Sequence, residues 1–166
     1  RKAAIIMGSI SDREIAEKAK KIFDKFNVET HMEVISAHRT PKRAFEFAES
    51  AEKDGIEVII AIAGKAAHLG GVIAANTIVP VIGIPAKTSV MGGMDSLLSV
   101  VQMPKGIPVA TVAIDGGENA ALLAISMLSL KYDELKKKLV DYRKELQDQV
   151  AVSYTHLTLP TTPYVK

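Results

Sequence analysis

The sequence predicts an α/β fold of three layers, a parallel sheet with helices on both faces and an additional C-terminal helix. Two observations predict it. Short apolar runs alternate with amphipathic stretches of helical period, and β-then-α units in series build a parallel sheet with crossover helices on both faces. The runs are also nearly continuous in Ile, Val and Ala, as in strands covered on both sides.

The first strand is expected over Ala3–Met7, ending in Gly8-Ser9. A helix follows from Ser11 to about Lys25, with Ile15, Ala19, Ile22, Phe23 and Phe26 on one face. Ser11 and Glu14 have the spacing of a capping box. The second strand is expected over Val28–Ala37. Thr40-Pro41 then opens a helix, with Thr40 as N-cap and Pro at the first helical position. That helix carries Ala44, Phe45, Phe47, Ala48 and Ala51 and stops at Gly55.

Ile56–Ala63 reads as the third strand and Ala66–Asn76 as a short helix of small residues. Val79–Pro85 is the fourth strand, Lys87–Gly93 a loop and Met94–Met103 a helix. Pro108–Ile114 is the fifth strand. Glu118–Leu130 and then Tyr132 to about Val150 complete the helices. The methionines Met7, Met91, Met94 and Met103 read as core packing. A flavodoxin-like strand order, 2-1-3-4-5, is expected. Residues 1–152 form one domain. From Ser153 onward the chain turns rich in Thr and Pro, and 153–166 reads as a non-native or disordered tail that does not continue the helix.

Composition excludes several function classes. With 166 residues the chain suits a single core. A net charge of +2 from 21 basic and 19 acidic residues is too balanced for a nucleic-acid surface. Aromatics at 5% and the lack of Trp leave no stacking platform for single strands. With no Cys, thiolate catalysis and Cys-ligated zinc are out, and a cytoplasmic location is expected. No apolar run reaches membrane-spanning length, and no signal peptide is seen. The chain opens on Arg1, so the native start is expected upstream.

In open parallel sheets, ligands bind beyond the carboxyl ends of the strands, where the strand order reverses. Three segments should therefore converge. After the first strand, Gly8-Ser9-Ile10-Ser11-Asp12 offers small side chains, hydroxyls and helix N-terminal amides suited to a phosphate. The same Ser11 is equally read as a plain helix cap. The segment is neither a P-loop nor GxGxxG. After the second strand, Ser36-Ala37-His38-Arg39-Thr40 joins an imidazole, which both accepts and donates protons near neutrality, to a guanidinium that clamps anions. Taken alone, this pair also reads as a surface His and a solvated Arg. After the third strand, Gly64-Lys65-Ala66-Ala67-His68-Leu69 lets backbone approach a ligand closely. His68 is read either as part of that site or as a packing residue. His31 is read as structural, and His156 receives no role. The His spacing matches no metal motif, so no metal is expected.

Met7-Gly8-Ser9-x-Ser11-Asp12, Ser36 through Pro41, Ala66-Ala67-His68-Leu69 and Asp95-Ser96-Leu97 through Val101-Gln102-Met103-Pro104 occur in that order. Together they resemble the N5-carboxyaminoimidazole ribonucleotide mutases of purine biosynthesis, over roughly Ala3 to Val150. The resemblance implies transfer of a carboxylate from an exocyclic nitrogen to ring carbon C4 of an aminoimidazole ribonucleotide. It implies neither metal nor ATP nor other cofactor, and a route through CO2 released and recaptured in a closed site. It assigns His38 the acid–base role and gives Ser9, Ser11, Asp12 and Arg39 the ribose and phosphate. Ser36 and Ala37 belong to the same binding loop. Gly64, Lys65, Ala66, His68 and Leu69 line the base and CO2 pocket.

Two positions depart from the family. Lys65 stands where the family usually has Gly or another uncharged residue, and Gly70 where it usually has Pro. The resemblance also implies a homo-oligomer, an octamer, in which the last helix reaches a neighbouring subunit. Its apolar set is Leu135, Leu139, Tyr142, Leu146 and Val150. Two alternatives stand beside the mutase: a direct CO2-dependent carboxylase of the aminoimidazole ribonucleotide, and a non-catalytic nucleotide-binding module. Partners beyond a small phosphorylated ribonucleotide and further copies of the chain, such as nucleic acid or membrane, are not expected.

Overall fold

The computed structural model describes residues 1–158. Its strands are β1 (Lys2–Met7), β2 (Glu29–Val34), β3 (Val58–Ala63), β4 (Val81–Pro85) and β5 (Ala110–Thr111). Its α-helices are α1 (Arg13–Lys25), α2 (Pro41–Ser50), α3 (Leu69–Ala74), α4 (Met94–Val101), α5 (Gly117–Leu128) and α6 (Asp133–Thr158). The strands form one parallel sheet in the order β2-β1-β3-β4-β5, as expected.

The pleat sorts each strand's side chains between two cores. Ala3, Ile5 and Met7, with Val58, Ile60, Ile62, Ile82 and Ile84, pack under α1, α5 and α6. Ala4 and Ile6, with Ile59, Ala61, Ala63 and Val81, pack under α2 and α3. All six residues of β3 and all five of β4 are buried, which is why these segments read as unbroken apolar runs. β2 lies at the edge, and its polar residues Glu29, His31 and Glu33 follow from that. His31 lies in the middle of β2 and stacks on Phe47, with ring centroids 6.0 Å apart.

Helix ends explain most boundary differences. α1 closes on Asn27 at φ 56°, where the Val28 and Asn27 amides bond back to Phe23 and Asp24 carbonyls in a Schellman pattern. The same pattern at Gly55 closes the turn that follows α2, whereas the helix itself, expected to stop at Gly55, ends at Ser50. The expected capping box at Ser11 and Glu14 lies upstream instead, between Ser9 and Asp12, because a 3-10 turn (Ile10–Asp12) precedes α1. Thr40 precedes Pro41 as expected but does not cap with its side chain. Its hydroxyl closes a turn, accepting from the Ser36 amide and donating to the Ser36 carbonyl, both at 3.0 Å.

Four other expectations are corrected. β5 is only two residues long, since it is an edge strand entered through Pro108, which has no N–H to donate. Phe45 turns outward, and so do Met91 and Met94, which lie on an exposed loop and helix start rather than in a core. Helix α3 starts only at Leu69, which leaves His68 at its N-cap. Finally, α6 runs through Val150 to Thr158, six residues into the segment set apart as a tail; residues 159–166 lie outside the described residues. Along α6, Leu135 is fully buried and Leu139 and Tyr142 pack on the core, whereas Leu146 and Val150 are exposed. No helix among the described residues is long and apolar enough to cross a membrane.

α1 and α5 meet closely at Gly117. A methyl there would lie 2.5 Å from the Ile15 carbonyl oxygen and 3.4 Å from the Ala19 amide nitrogen, so the two backbones would have to separate. Gly117→Ala is expected to cost about 1–3 kcal/mol through overpacking. Urea unfolding measures this, and an unchanged midpoint would contradict the close approach.

Candidate functional site

β1 lies between β2 and β3, so the loops after these strands emerge side by side at one end of the sheet. Every site residue singled out in the sequence lines one cleft there, of about 680 Å³. The loop after β4 joins them, through Lys87, Thr88 and Ser89. Those three were read only as loop. Their position beyond the carboxyl end of the strand next to β3 was the available signal. A concavity of about 780 Å³ at the opposite end of the sheet is lined by Glu49 and Glu52 and by no site residue singled out in the sequence.

The β1 loop is a self-bonded cluster. The Ser9 amide donates to the Asp12 carboxylate at 3.2 Å, while Ser9 Oγ accepts from the Ser11 amide at 3.3 Å and the Ser11 hydroxyl at 3.0 Å. Asp12 is 7% exposed. Burial raises its carboxyl pKa above the ordinary value, against the Ser9 amide bond that lowers it, and the charge of Asp115 adds to the rise.

Arg39 joins the β2 loop to the β1 loop. Its Nε donates to Ser36 Oγ at 3.2 Å and its Nη2 to the Gly8 carbonyl at 3.2 Å. Ser36 Oγ also accepts the Arg39 amide at 3.1 Å. Guanidinium carries five N–H donors, so a side chain fixed in this way keeps donors for an anion in the cleft.

His38 and His68 come from the segments that follow β2 and β3 and meet directly. Nε2 of His38 is 2.9 Å from Nδ1 of His68, and the rings stand edge to face with centroids 5.0 Å apart. One nitrogen must donate and the other accept, so a single proton bridges the two rings. The pair is open to the cleft and can pass a proton to or from a bound ligand. Each ring in isolation had two readings in the sequence. Their contact favours the site over packing for both.

The loop carrying His68 begins with Lys65 in the left-handed region, at φ 57°. For a residue with a Cβ this costs about 1–2 kcal/mol. One α4 serine holds that backbone and a second touches it: Ser96 Oγ accepts the Lys65 amide at 2.9 Å, while the Ser99 hydroxyl, whose one proton goes chiefly to the Asp95 carbonyl at 2.7 Å, lies 3.3 Å from the Lys65 carbonyl. Gly70 is buried in the first turn of α3, where a Cβ would meet Ala61 and Val109 at ordinary contact distances of 3.6 and 3.7 Å. Among the described residues no group of three or more His, Asp or Glu is placed to hold a metal.

The raised pKa of Asp12 has a definite sign. The native state binds this proton more tightly than the unfolded chain, so ionised Asp12 costs stability, and the cost fades as pH falls through its raised pKa. Asp12→Asn keeps an acceptor for the Ser9 amide without the charge. The variant is therefore expected to melt above the parent at neutral pH, with the gap closing as pH falls through the carboxylate range. Melting curves against pH check this; a gap that widens on acidification would contradict it.

Comparison with known proteins agrees with the geometry. A family model described as AIR carboxylase matches residues 2–149. The N5-carboxyaminoimidazole ribonucleotide mutase of Pyrococcus abyssi is 59% identical over 146 residues, covering 88% of this chain and 84% of that protein. A protein of the same name from Escherichia coli is 54% identical over 151 residues, covering 90% and 89%. The crystal structure of Treponema denticola PurE superposes with a TM-score of 0.87 at 29% identity, covering 96% of this chain and all of that one.

Proposed function

This chain belongs to the AIR carboxylase family, and we propose that it is an N5-carboxyaminoimidazole ribonucleotide mutase of purine biosynthesis. The observation that carries the reading is the His38–His68 contact, set in a cleft with an anion-clamping arginine and a polar β1 loop. The names of its relatives favour the mutase over the direct carboxylase.

The phosphorylated ribonucleotide is anchored by Ser9, Ser11, Asp12, Ser36 and Arg39, and Ala37 with the Gly64–Leu69 loop covers the aminoimidazole. Anchoring at the phosphate holds the ring in register without itself acting on the barrier. The N–C bond of the carbamate breaks, leaving its electron pair on nitrogen, and His38 supplies the proton that nitrogen needs. C4 then attacks the released CO2 with its ring electrons. His38, now basic, removes the proton from C4 and the ring regains its aromaticity. The proton is conserved over the cycle, and His68 holds the second imidazole nitrogen in line. Keeping CO2 beside C4 makes its capture effectively unimolecular.

The deciding assay is conversion of freshly prepared N5-carboxyaminoimidazole ribonucleotide without added bicarbonate, followed by ultraviolet absorbance. Rapid isomerisation is expected. Activity only from aminoimidazole ribonucleotide plus CO2 would reassign the chain to direct carboxylation, and ligand binding with no turnover in either assay would leave a binding module. His38→Asn should lower kcat by about 10²–10⁴ with substrate binding retained. Full activity of that variant would remove His38 from the mechanism.

A homo-oligomer, in the octameric arrangement of the family, accompanies this reading, as does a cytoplasmic location. It is supported by the outer half of α6, whose Leu146, Val150 and Leu157 are exposed along with Met91 and Met94. Light scattering at micromolar concentration should give a mass well above 17.8 kDa, and a monomer would overturn the assembly.

A further inference from the structure

We infer that Ser96, a residue that never touches the cleft, is a positioning residue for the histidine pair. It acts by holding Lys65 in a backbone conformation that a side chain disfavours. Ser96 is fully buried on α4 and its Oγ accepts the Lys65 amide at 2.9 Å. One turn later on the same helix, the Ser99 hydroxyl reaches the Lys65 carbonyl. The Ser96 bond is thus the firm hold of α4 on Lys65, and the Ser99 contact is a longer one that shares its proton with the Asp95 carbonyl.

From Lys65 the restraint passes to His68 through two tight turns. The Ala67 amide donates to the Lys65 carbonyl and the His68 amide to the Ala66 carbonyl, each at 2.9 Å. A change in φ at Lys65 therefore swings the whole segment that sets His68 against His38. Gly64, just before Lys65, lies against the same support, since a Cβ there would be in ordinary contact with Ala86 Cβ at 3.6 Å and Ser96 Oγ at 3.8 Å.

α4 is itself anchored to the β4 loop. The Thr88 hydroxyl donates to Asp95 Oδ1 at 2.7 Å and accepts the Gly93 amide at 3.2 Å, and the shorter bond of the Ser99 hydroxyl is to the Asp95 carbonyl at 2.7 Å. Ser96 is thus a fixed point, tied through its helix to the sheet. At φ 57° a glycine would need no such holding, whereas Lys65 does. Ser96 compensates for the side chain at position 65.

This relation makes the test specific, because glycine at position 65 should make the Ser96 bond dispensable. Ser96→Ala removes one oxygen and no apolar contact, so the variant should fold. Its crystal structure is expected to show Lys65 out of the left-handed region and the His38–His68 separation beyond 3.5 Å. Adding Lys65→Gly to Ser96→Ala should restore the contact. In turnover, which rests on the mutase reading, Ser96→Ala should lower kcat by about a hundredfold with KM within about threefold. The double variant should recover most of that loss, a rescue that a merely structural role would not produce. An unchanged histidine contact in Ser96→Ala, or a double variant no better than the single, would overturn the inference. If the parent protein lacks mutase turnover, the functional reading fails, and the two crystal structures still decide the role of Ser96.

Discussion

The site depends on β1 being paired along both of its edges. Met7 aligns with Val34 of β2 on one side and with Ile62 of β3 on the other. The hydrogen bonds then run one step past the strand ends, from the Ile35 amide to the Met7 carbonyl and from the Gly8 amide to the Ile62 carbonyl, each at 2.8 Å. This register decides that the three loops leave the sheet at the same height. A parallel sheet of this kind must be covered on both faces, and Ala3, Ala4, Ile5 and Ile6 are accordingly inaccessible to water. Slippage by one residue would exchange the two cores and carry the β1 loop away from its neighbours.

On that frame the polar groups of the site are mutually restrained. Arg39 bridges two loops, Ser9 and Asp12 satisfy each other, and α4 holds the third loop through Lys65. Such restraint favours ligand binding, since side chains fixed before a ligand arrives lose little entropy when it binds. Asp12 is the exception in energy, a carboxylate whose burial raises its pKa and is offset only in part by the Ser9 amide.

Much of the site was legible because one topological rule points to the carboxyl ends of strands. His38 and His68 were each ambiguous in the sequence, since an imidazole beside a helix start is common. Their distance of 2.9 Å turns two doubtful residues into a pair, and no spacing along the chain encodes it. The reversals of the chain at Asn27, after α1, and at Gly55, after the turn that follows α2, were written locally, in residues that tolerate positive φ. The 3-10 turn before α1 was not, because Ser9 and Ser11 are both competent caps and the register of the β1 loop chooses between them.

The order of amino acids alone sets the number of β-then-α units, the buried character of β1, β3 and β4, and the residue types that reach the sheet's carboxyl end. These follow from period, burial and handedness, which act over short stretches of chain. Tertiary structure decided the rest. It shortened β5 to two residues, turned Met91 and Met94 outward, and carried α6 on to Thr158. It also brought Ser96, thirty-one positions away, onto the amide of Lys65. Those outcomes depend on which surfaces are left over once the layers close, and that is a property of the assembled fold.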